Sequence, residues 1–512
     1  LPGPLLRLAS PAPSAGSPVR PPAGWTARAR PRHGDPMQRR VPWWLLAIAL
    51  AGCEDAAPDR PDAAAADAAP QDAGSEDAAG PDLGAADLGP ADAGQRFGLT
   101  VRTSTGGAVR IAPPGLDCAL AESPCVTELP AGTTVTLTAS AAARFAFDGW
   151  AGDCAGQGEA ANVLLDRDRA CAARFLGLEG AVALVPPPVS VVPNTTEDPV
   201  DILVFAERTG WTVPAGVPFD LHVPDTYADY PLDAGDLPVG LEVDVYFLHF
   251  DPVGQARTDR QAELRFPGRV LALLTRSETL DRTDAQLGLP DRVTYPDPGG
   301  HRFRGLEGGG EDVLVLSPDR RTLTLDFDTS TSSDQLRIVV LRPGAPVPAF
   351  ASRNVRLGPP PTSVALGSTE SSTTVTGFVE RAGPLPAPVP VDVSVPGTYT
   401  RPADRTPAEL PAGTPVESVL LHLDPVGGAS AILQGSLVLD RAILGLVVES
   451  PSLDASDGPA GAPGVAYPTG AEPDRGLEAG GDQVTLSGDR RSLRFQLRAT
   501  TGSDQIRILL AD

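Results

Sequence analysis

The chain is 512 residues long, with 41 basic and 65 acidic groups, a formal net charge of −24, and every basic residue an Arg. So acidic a surface repels phosphate backbones and excludes a nucleic-acid partner. No run reaches the ~18 consecutive apolar residues of a membrane-spanning helix, and the length allows two to four domains.

The only Met, Met37, opens Met37-Gln38-Arg39-Arg40, followed by the apolar run Val41 to Ala51, then Gly52 and Cys53. A positive start, a short apolar stretch and small residues at a cleavage point describe an export signal over 37–52. Leu50-Ala51-Gly52-Cys53 resembles the bacterial lipobox. That resemblance implies cleavage before Cys53 and lipidation of its thiol, which would tie the protein to a membrane through an N-terminal lipid. Two or more acyl chains, each buried methylene contributing ~0.8 kcal/mol, anchor stably where one does not. Residues 1–36 precede a complete signal and show no periodic apolar pattern. They are expected to come from an upstream start assignment and to be absent from the mature chain. Residues 1–52 hold seven Arg and one Asp, so their removal takes the net charge from −24 to −30.

Residues 53–95 are rich in Ala, Asp, Gly and Pro, with Asp at every fifth position from Asp62 to Asp92. Such a segment buries too little apolar surface to offset chain entropy and reads as a disordered acidic tether. As a flexible chain it would reach about 35–40 Å on average.

Residues 96–176 change character. Leu99 to Thr103 and Thr133 to Thr138 alternate apolar with polar residues, the two-residue period of half-buried strands. Phe145, Phe147 and Trp150 supply bulk for a small core. Pro114-Gly115-Leu116-Asp117-Cys118, Ala131 to Ala139, Phe147-Asp148-Gly149-Trp150-Ala151-Gly152-Asp153-Cys154 and Cys171 to Phe175 together resemble the divergent internalin-type B repeat of bacterial surface proteins. The resemblance implies a spacer or adhesive module. Beyond Cys53, the remaining cysteines all lie here; four allow three connectivities, and Cys118–Cys125 with Cys154–Cys171 is the expected one. Disulfides place the protein outside the cytoplasm. A zinc site is the weaker reading, because no C-x-x-C pair or neighbouring His accompanies them.

From residue 177 the chain repeats itself. Phe205-Ala-Glu207-Arg208 recurs as Phe378-Val-Glu380-Arg381, and Val217-Pro-Phe-Asp220 as Val389-Pro-Val-Asp392. His249-Phe-Asp251-Pro-Val-Gly254 recurs as His422-Leu-Asp424-Pro-Val-Gly427, Arg304-Gly-Leu-Glu307 as Arg475-Gly-Leu-Glu478, and Ser333-Asp-Gln-Leu-Arg337 as Ser503-Asp-Gln-Ile-Arg507. Copies at 177–345 and 352–512 suit two globular units, not a solenoid. Leu323, Leu325 and Phe327, and Leu493, Phe495 and Leu497, alternate with polar or charged neighbours. Leu336, Ile338 and Val340 share one strand face, as do Ile506, Ile508 and Leu510. Short alternating runs between Gly/Pro turns predict a mainly β protein: a small disulfide-bearing module followed by two tandem antiparallel sandwiches or jelly rolls. Through the His249 to Gly254 motif and its second copy, Leu453 to Asp457, Tyr467-Pro468 and Arg475 to Glu478, both copies resemble an unassigned β domain of exported bacterial proteins, a resemblance that supplies a cellular setting and assigns no activity.

Two sets of residues are candidates for chemistry. His249 with Asp251, and His422 with Asp424, stand two apart on strand-like runs and thus on one face, as an acid–base or metal pair requires; the alternative is a packed His and a turn-forming Asp. Asp281 and Asp284, with Asp454 and Asp457, form a repeated Asp-x-x-Asp expected in loops, with Glu307 and Glu478 further along. Their hard oxygens are the calcium candidates, calcium being the one cofactor considered. There is no G-x-S-x-G, phosphate-loop, H-E-x-x-H or dinucleotide motif. These features describe a non-catalytic, lipid-anchored envelope protein at a bacterial outer membrane or cell surface. It would present β modules for binding, adhesion or structural display to a surface protein or glycan. A carbohydrate-binding or glycan-hydrolysing sandwich and a calcium-dependent adhesin are the alternatives.

Overall fold

A computed structural model describes residues 94–512, apart from short segments at 120–122, 229–233, 256–257, 301–303, 307–311, 330–332, 469, 471–474, 478–479 and 501. The signal, lipobox, Cys53, the tether to residue 93, Glu307 and Glu478 lie outside the described residues. The described chain is mainly β, as its alternating patterns predict.

In the first module, Arg96–Thr103 pairs antiparallel with Cys125–Pro130 and parallel with Arg169–Gly180, which also pairs with Phe145–Gly152. A second sheet joins Gly107–Ala112, Leu116–Cys118, Thr134–Ala141 and Ala160–Leu164. Alternation turns Leu99, Val101, Val135 and Leu137 inward around the buried Trp150 and Phe175. Disulfides Cys118–Cys125 and Cys154–Cys171 close this module.

The strand Arg169–Gly180 does not stop at the module's edge. Its first residues pair within the small module, and its last four, Gly177 to Gly180, pair with Thr258–Arg265 of the first repeat. One continuous sheet therefore crosses from one module into the next.

Each repeat is a sandwich of two sheets with the same strand order. In the first, the sheet carrying Thr258–Arg265, Thr322–Thr329, Val313–Leu316 and Thr226–Tyr227 faces one made of Val270–Leu274, Asp334–Leu341, Glu242–Phe250, Ile202–Thr212 and Val182–Leu184. In the second, Phe350–Ala351, Ala431–Val438, Ser492–Ala499, Gln483–Leu486 and Gly397–Tyr399 face Val355–Gly358, Val375–Pro384, Pro415–Leu423, Asp504–Ala511 and Ile443–Val447. Leu336, Ile338 and Val340 point into the space between sheets, and Ile506, Ile508 and Leu510 do so in the second copy.

The interior strand Asp334–Leu341 is nevertheless buried along all of its eight residues. A helix covers its other side: α1 (Ser277–Leu287) in the first repeat and α2 (Ser450–Ala460) in the second. This is a departure from the sequence reading, which placed Asp281, Asp284, Asp454 and Asp457 in loops; all four sit on these helices. The buried face of α1 is Thr279, Leu280, Thr283 and Leu287, and that of α2 is Ser450, Leu453, Ser456 and Ala460. Half of each face is hydroxyl-bearing, so an apolar helical period is too weak to read.

The two repeats are fastened by polar contacts under cover. His222 Nε2 lies 2.7 Å from Ser436 Oγ, Arg320 reaches Asp489 at 3.2 Å and donates to Ser492 Oγ at 2.6 Å, and Arg494 meets Asp225 at 2.5 Å. Phe350 stands edge-on to both Phe219 and His222. Arg320 holds a left-handed φ of 59°, unusual for a residue with a side chain. Its bonds to the His222 carbonyl, Asp489 and Ser492 hold the guanidinium in this junction.

Candidate functional site

The repeated motifs converge on one place in each copy, the layer between helix and sheet. Arg337, on the helix-facing side of its strand, donates to Glu207 Oε2 at 2.6 Å and Oε1 at 2.8 Å, to Thr283 Oγ1 at 2.7 Å and to Asp284 at 3.0 Å. Arg337 and Glu207 are both fully enclosed, and the guanidinium stacks 5.1 Å from the Phe247 ring centre. Arg304 donates to Asp281 and Asp284, each at 2.7 Å, and to Gln335 at 2.9 Å. Tyr295 closes the cluster by donating to Glu207 at 2.6 Å.

The second copy rebuilds its charged network with the matching residues, Ser456 standing for Thr283. Arg507 bonds Glu380, Asp457 and Ser456; Arg475 bonds Asp454, Asp457 and Gln505; and Tyr467 donates to Glu380. Neighbouring carboxylates hold both Arg337 and Arg507 more firmly protonated than an ordinary guanidinium, outweighing their burial. Burial and the adjacent glutamate push the Tyr295 and Tyr467 hydroxyls well up. Asp220 accepts from the Thr275 and Arg276 amides and from Thr279 Oγ1, pinning the start of α1; Asp392 accepts the corresponding bonds from Val448, Glu449 and Ser452.

The calcium candidates Asp281, Asp284, Asp454 and Asp457 are thus each bonded to an arginine, and among the described residues no group of three or more His, Cys, Asp or Glu is gathered to hold a metal. An arginine already supplies at that spot the positive charge a cation would bring.

His249 and His422 are buried at the edge of the same layer. His249 Nδ1 lies 3.2 Å from Gln335 Nε2, and His422 Nδ1 lies 3.2 Å from Gln505 Nε2. Burial lowers both imidazoles to about 4, so the rings are neutral at neutral pH. Asp251 comes within 3.8 Å of His249 but follows the end of its strand, and it accepts the Asn194 amide at 2.6 Å. Asp424 accepts the Gly367 amide at 2.7 Å. Both His/Asp pairs therefore sit under a loop rather than beside an open cleft.

Sequence reasoning did not find a polar hollow at the junction of two modules. A cavity of about 970 Å³ opens between the first module and the first repeat. At its base Arg174 meets Asp244 at 2.8 Å and Asp148 at 3.4 Å, and Tyr246 donates to Asp148 at 2.5 Å. Residues from two modules, far apart in sequence, build it; no spacing within either module marks it.

The described chain is a pair of helix-backed β-sandwiches with a disulfide-bearing β module sewn onto the first. Comparison with protein families, curated proteins and solved structures finds no match.

Proposed function

We propose that the protein is a lipid-anchored component of a bacterial cell envelope that presents its β modules for binding, adhesion or structural display, without a catalytic step. The observation that carries this reading is the fusion of the modules. A shared strand joins the first to the second, and a buried hydrogen-bonded and ionic junction joins the second to the third. Modules so joined keep a fixed geometry, which suits presentation better than a reaction cycle needing relative motion. The two disulfides and the lipobox-like Leu50 to Cys53 support an exported location. The best candidates for chemistry also bear on it: the helix carboxylates are held by arginines and the His/Asp pairs are packed under loops.

The test is metabolic labelling with radioactive palmitate, combined with protease shaving of intact cells. Label on the wild type but not on Cys53→Ser, with digestion of the wild type from outside, is the expected result. An unlabelled wild type, or one lost to the medium, overturns the anchor. A second reading, carbohydrate binding, is favoured by one observation: the polar cavity between modules.

A further inference from the structure

The walls of this cavity explain why it exists. Along Arg96–Thr103 and Arg169–Gly180, alternation sends Leu99, Val101, Cys171 and Ala173 to the module's core. The outward positions left to form the floor include Ala170 and Ala172, with Ala151 and Gly152 beside them. Side chains this short leave a hollow where larger ones would meet the first repeat. At about 970 Å³ it lies at the upper end of the roughly 300–1,000 Å³ that small-ligand sites occupy, at a module junction where such sites concentrate.

Its charge is contrary to that of the chain. Arg174 is neutralised by Asp244, and Arg342 pairs with Glu242. Arg102, Arg265 and Arg321 also line the space, and among the lining carboxylates only Asp319 is left to face them. Asp319 already accepts from Ser317 and the Arg321 amide, and stays ionised below the usual carboxylate range. Counting Asp148 at the base, five guanidiniums face four carboxylates, which makes a local positive hollow in a chain of net charge −24. The rest of the lining is rich in hydroxyls, from Thr100, Ser104, Thr105 and Thr209.

The second repeat provides an internal comparison. The position matching Arg265 is Val438, fully buried in a core shared with the first repeat, and the residue matching Asp319 is Asp489, bonded to Arg320. The same face is closed by an apolar residue in one copy and left hollow and cationic in the other.

We propose that the junction cavity binds a small polyhydroxylated anion, an acidic sugar whose carboxylate or phosphate is met by Arg102, Arg265 and Arg321 and whose hydroxyls meet the threonine and serine wall. Guanidinium groups favour both anions through paired, charge-assisted hydrogen bonds. The inference rests on the carbohydrate-binding reading and is independent of the lipid anchor.

Calorimetric titration of the detergent-solubilised protein with trigalacturonate, glucose 6-phosphate and neutral maltotriose tests it. Arg102 and Arg265 are exposed, so Arg102→Ala/Arg265→Ala should fold, with circular dichroism as the check. A saturable response to trigalacturonate or glucose 6-phosphate, weakened about tenfold or more in the double variant, is expected, and whichever binds identifies the acid group. Ala172→Phe, which fills the floor, should remove the response. Binding of maltotriose alone, unaffected by the arginine changes, would overturn the anionic site while leaving carbohydrate binding standing. Silence of all three sugars overturns both, and equal affinity of wild type and double variant for an acidic sugar overturns the assignment to this cavity.

Discussion

Replacing Arg337 by Met tests whether the repeated motifs hold the fold together. Arg337 is fully enclosed, makes four side-chain bonds to Glu207, Thr283 and Asp284, and covers the Phe247 ring. Met keeps much of the volume and the contact with the ring. It leaves Glu207, equally enclosed, with the Tyr295 hydroxyl but no counter-charge. Removing one partner of a buried ion pair costs about 3–5 kcal/mol, because the other charge stays desolvated and unpaired. For a domain of this size that corresponds to a fall of roughly 10 °C or more in unfolding temperature. The double variant Arg337→Met/Glu207→Leu should recover more than half of the loss, since removing both charges removes the orphan. Scanning calorimetry of the three proteins at neutral pH reads both effects, and Arg507→Met with Glu380→Leu repeats the experiment in the second copy. A single-variant loss under about 1 kcal/mol, or a double variant no better than the single, would show that the cluster is not what secures the helix to the sheet.

Of the buried histidines His222, His249 and His422, the two matching ones, His249 and His422, give a pH dependence that can be worked out. In the folded chain they stay neutral down to about 4, whereas in the unfolded chain they take a proton near 6.5, so the unfolded state binds more protons between these values and stability falls as pH drops through that window. Each should contribute about 3 kcal/mol of the loss by pH 4, and urea unfolding of His249→Gln/His422→Gln should show a shallower decline than wild type; parallel curves would refute it. Removing Cys154–Cys171, which closes 17 residues, should destabilise the first module by about 3 kcal/mol, and removing Cys118–Cys125, which closes 7, by about 2 kcal/mol, measured with paired Cys→Ala variants. Calcium and a chelator should leave the melting curve unchanged; a calcium-dependent rise would show that the arginines at Asp281, Asp284, Asp454 and Asp457 give way to a cation. Gly268→Ala should be poorly tolerated, because a Cβ there would lie 1.8 Å from the Leu341 carbonyl oxygen, and its yield and melting temperature beside wild type are the check.

The strands were legible because their chemistry alternates: Leu336, Ile338 and Val340 announce one buried face through apolarity alone. The other face of the same strand, Gln335 and Arg337, reads as solvent-facing, and only the helix above shows why it is buried. That helix escaped notice for the same reason, since Thr283 and Ser456 serve guanidiniums and Thr279 serves the Asp220 carboxylate rather than an oily core. The repeated residues did mark positions under a common demand. Glu207, Asp220, Arg304 and Arg337 all recur in the second copy because one network uses them all, and their charged character suggested chemistry where their role is support. The cavity was illegible for a different reason. Arg102 and Arg265 gain meaning only from a module boundary that brings them together, and neither carries a local pattern.

The strand from Arg169 to Gly180 has a consequence for how the molecule bears load. Its two ends belong to different modules, so a pull separating them acts along a strand that is hydrogen-bonded on both sides, in Arg96–Thr103 and in Thr258–Arg265. Such a joint must shear several backbone bonds together rather than unzip them one by one. A cut between residues 176 and 177 would leave each fragment with an unpaired sheet edge, a ready site for mispairing. The first module and the first repeat are therefore best handled, expressed and stretched as a single piece.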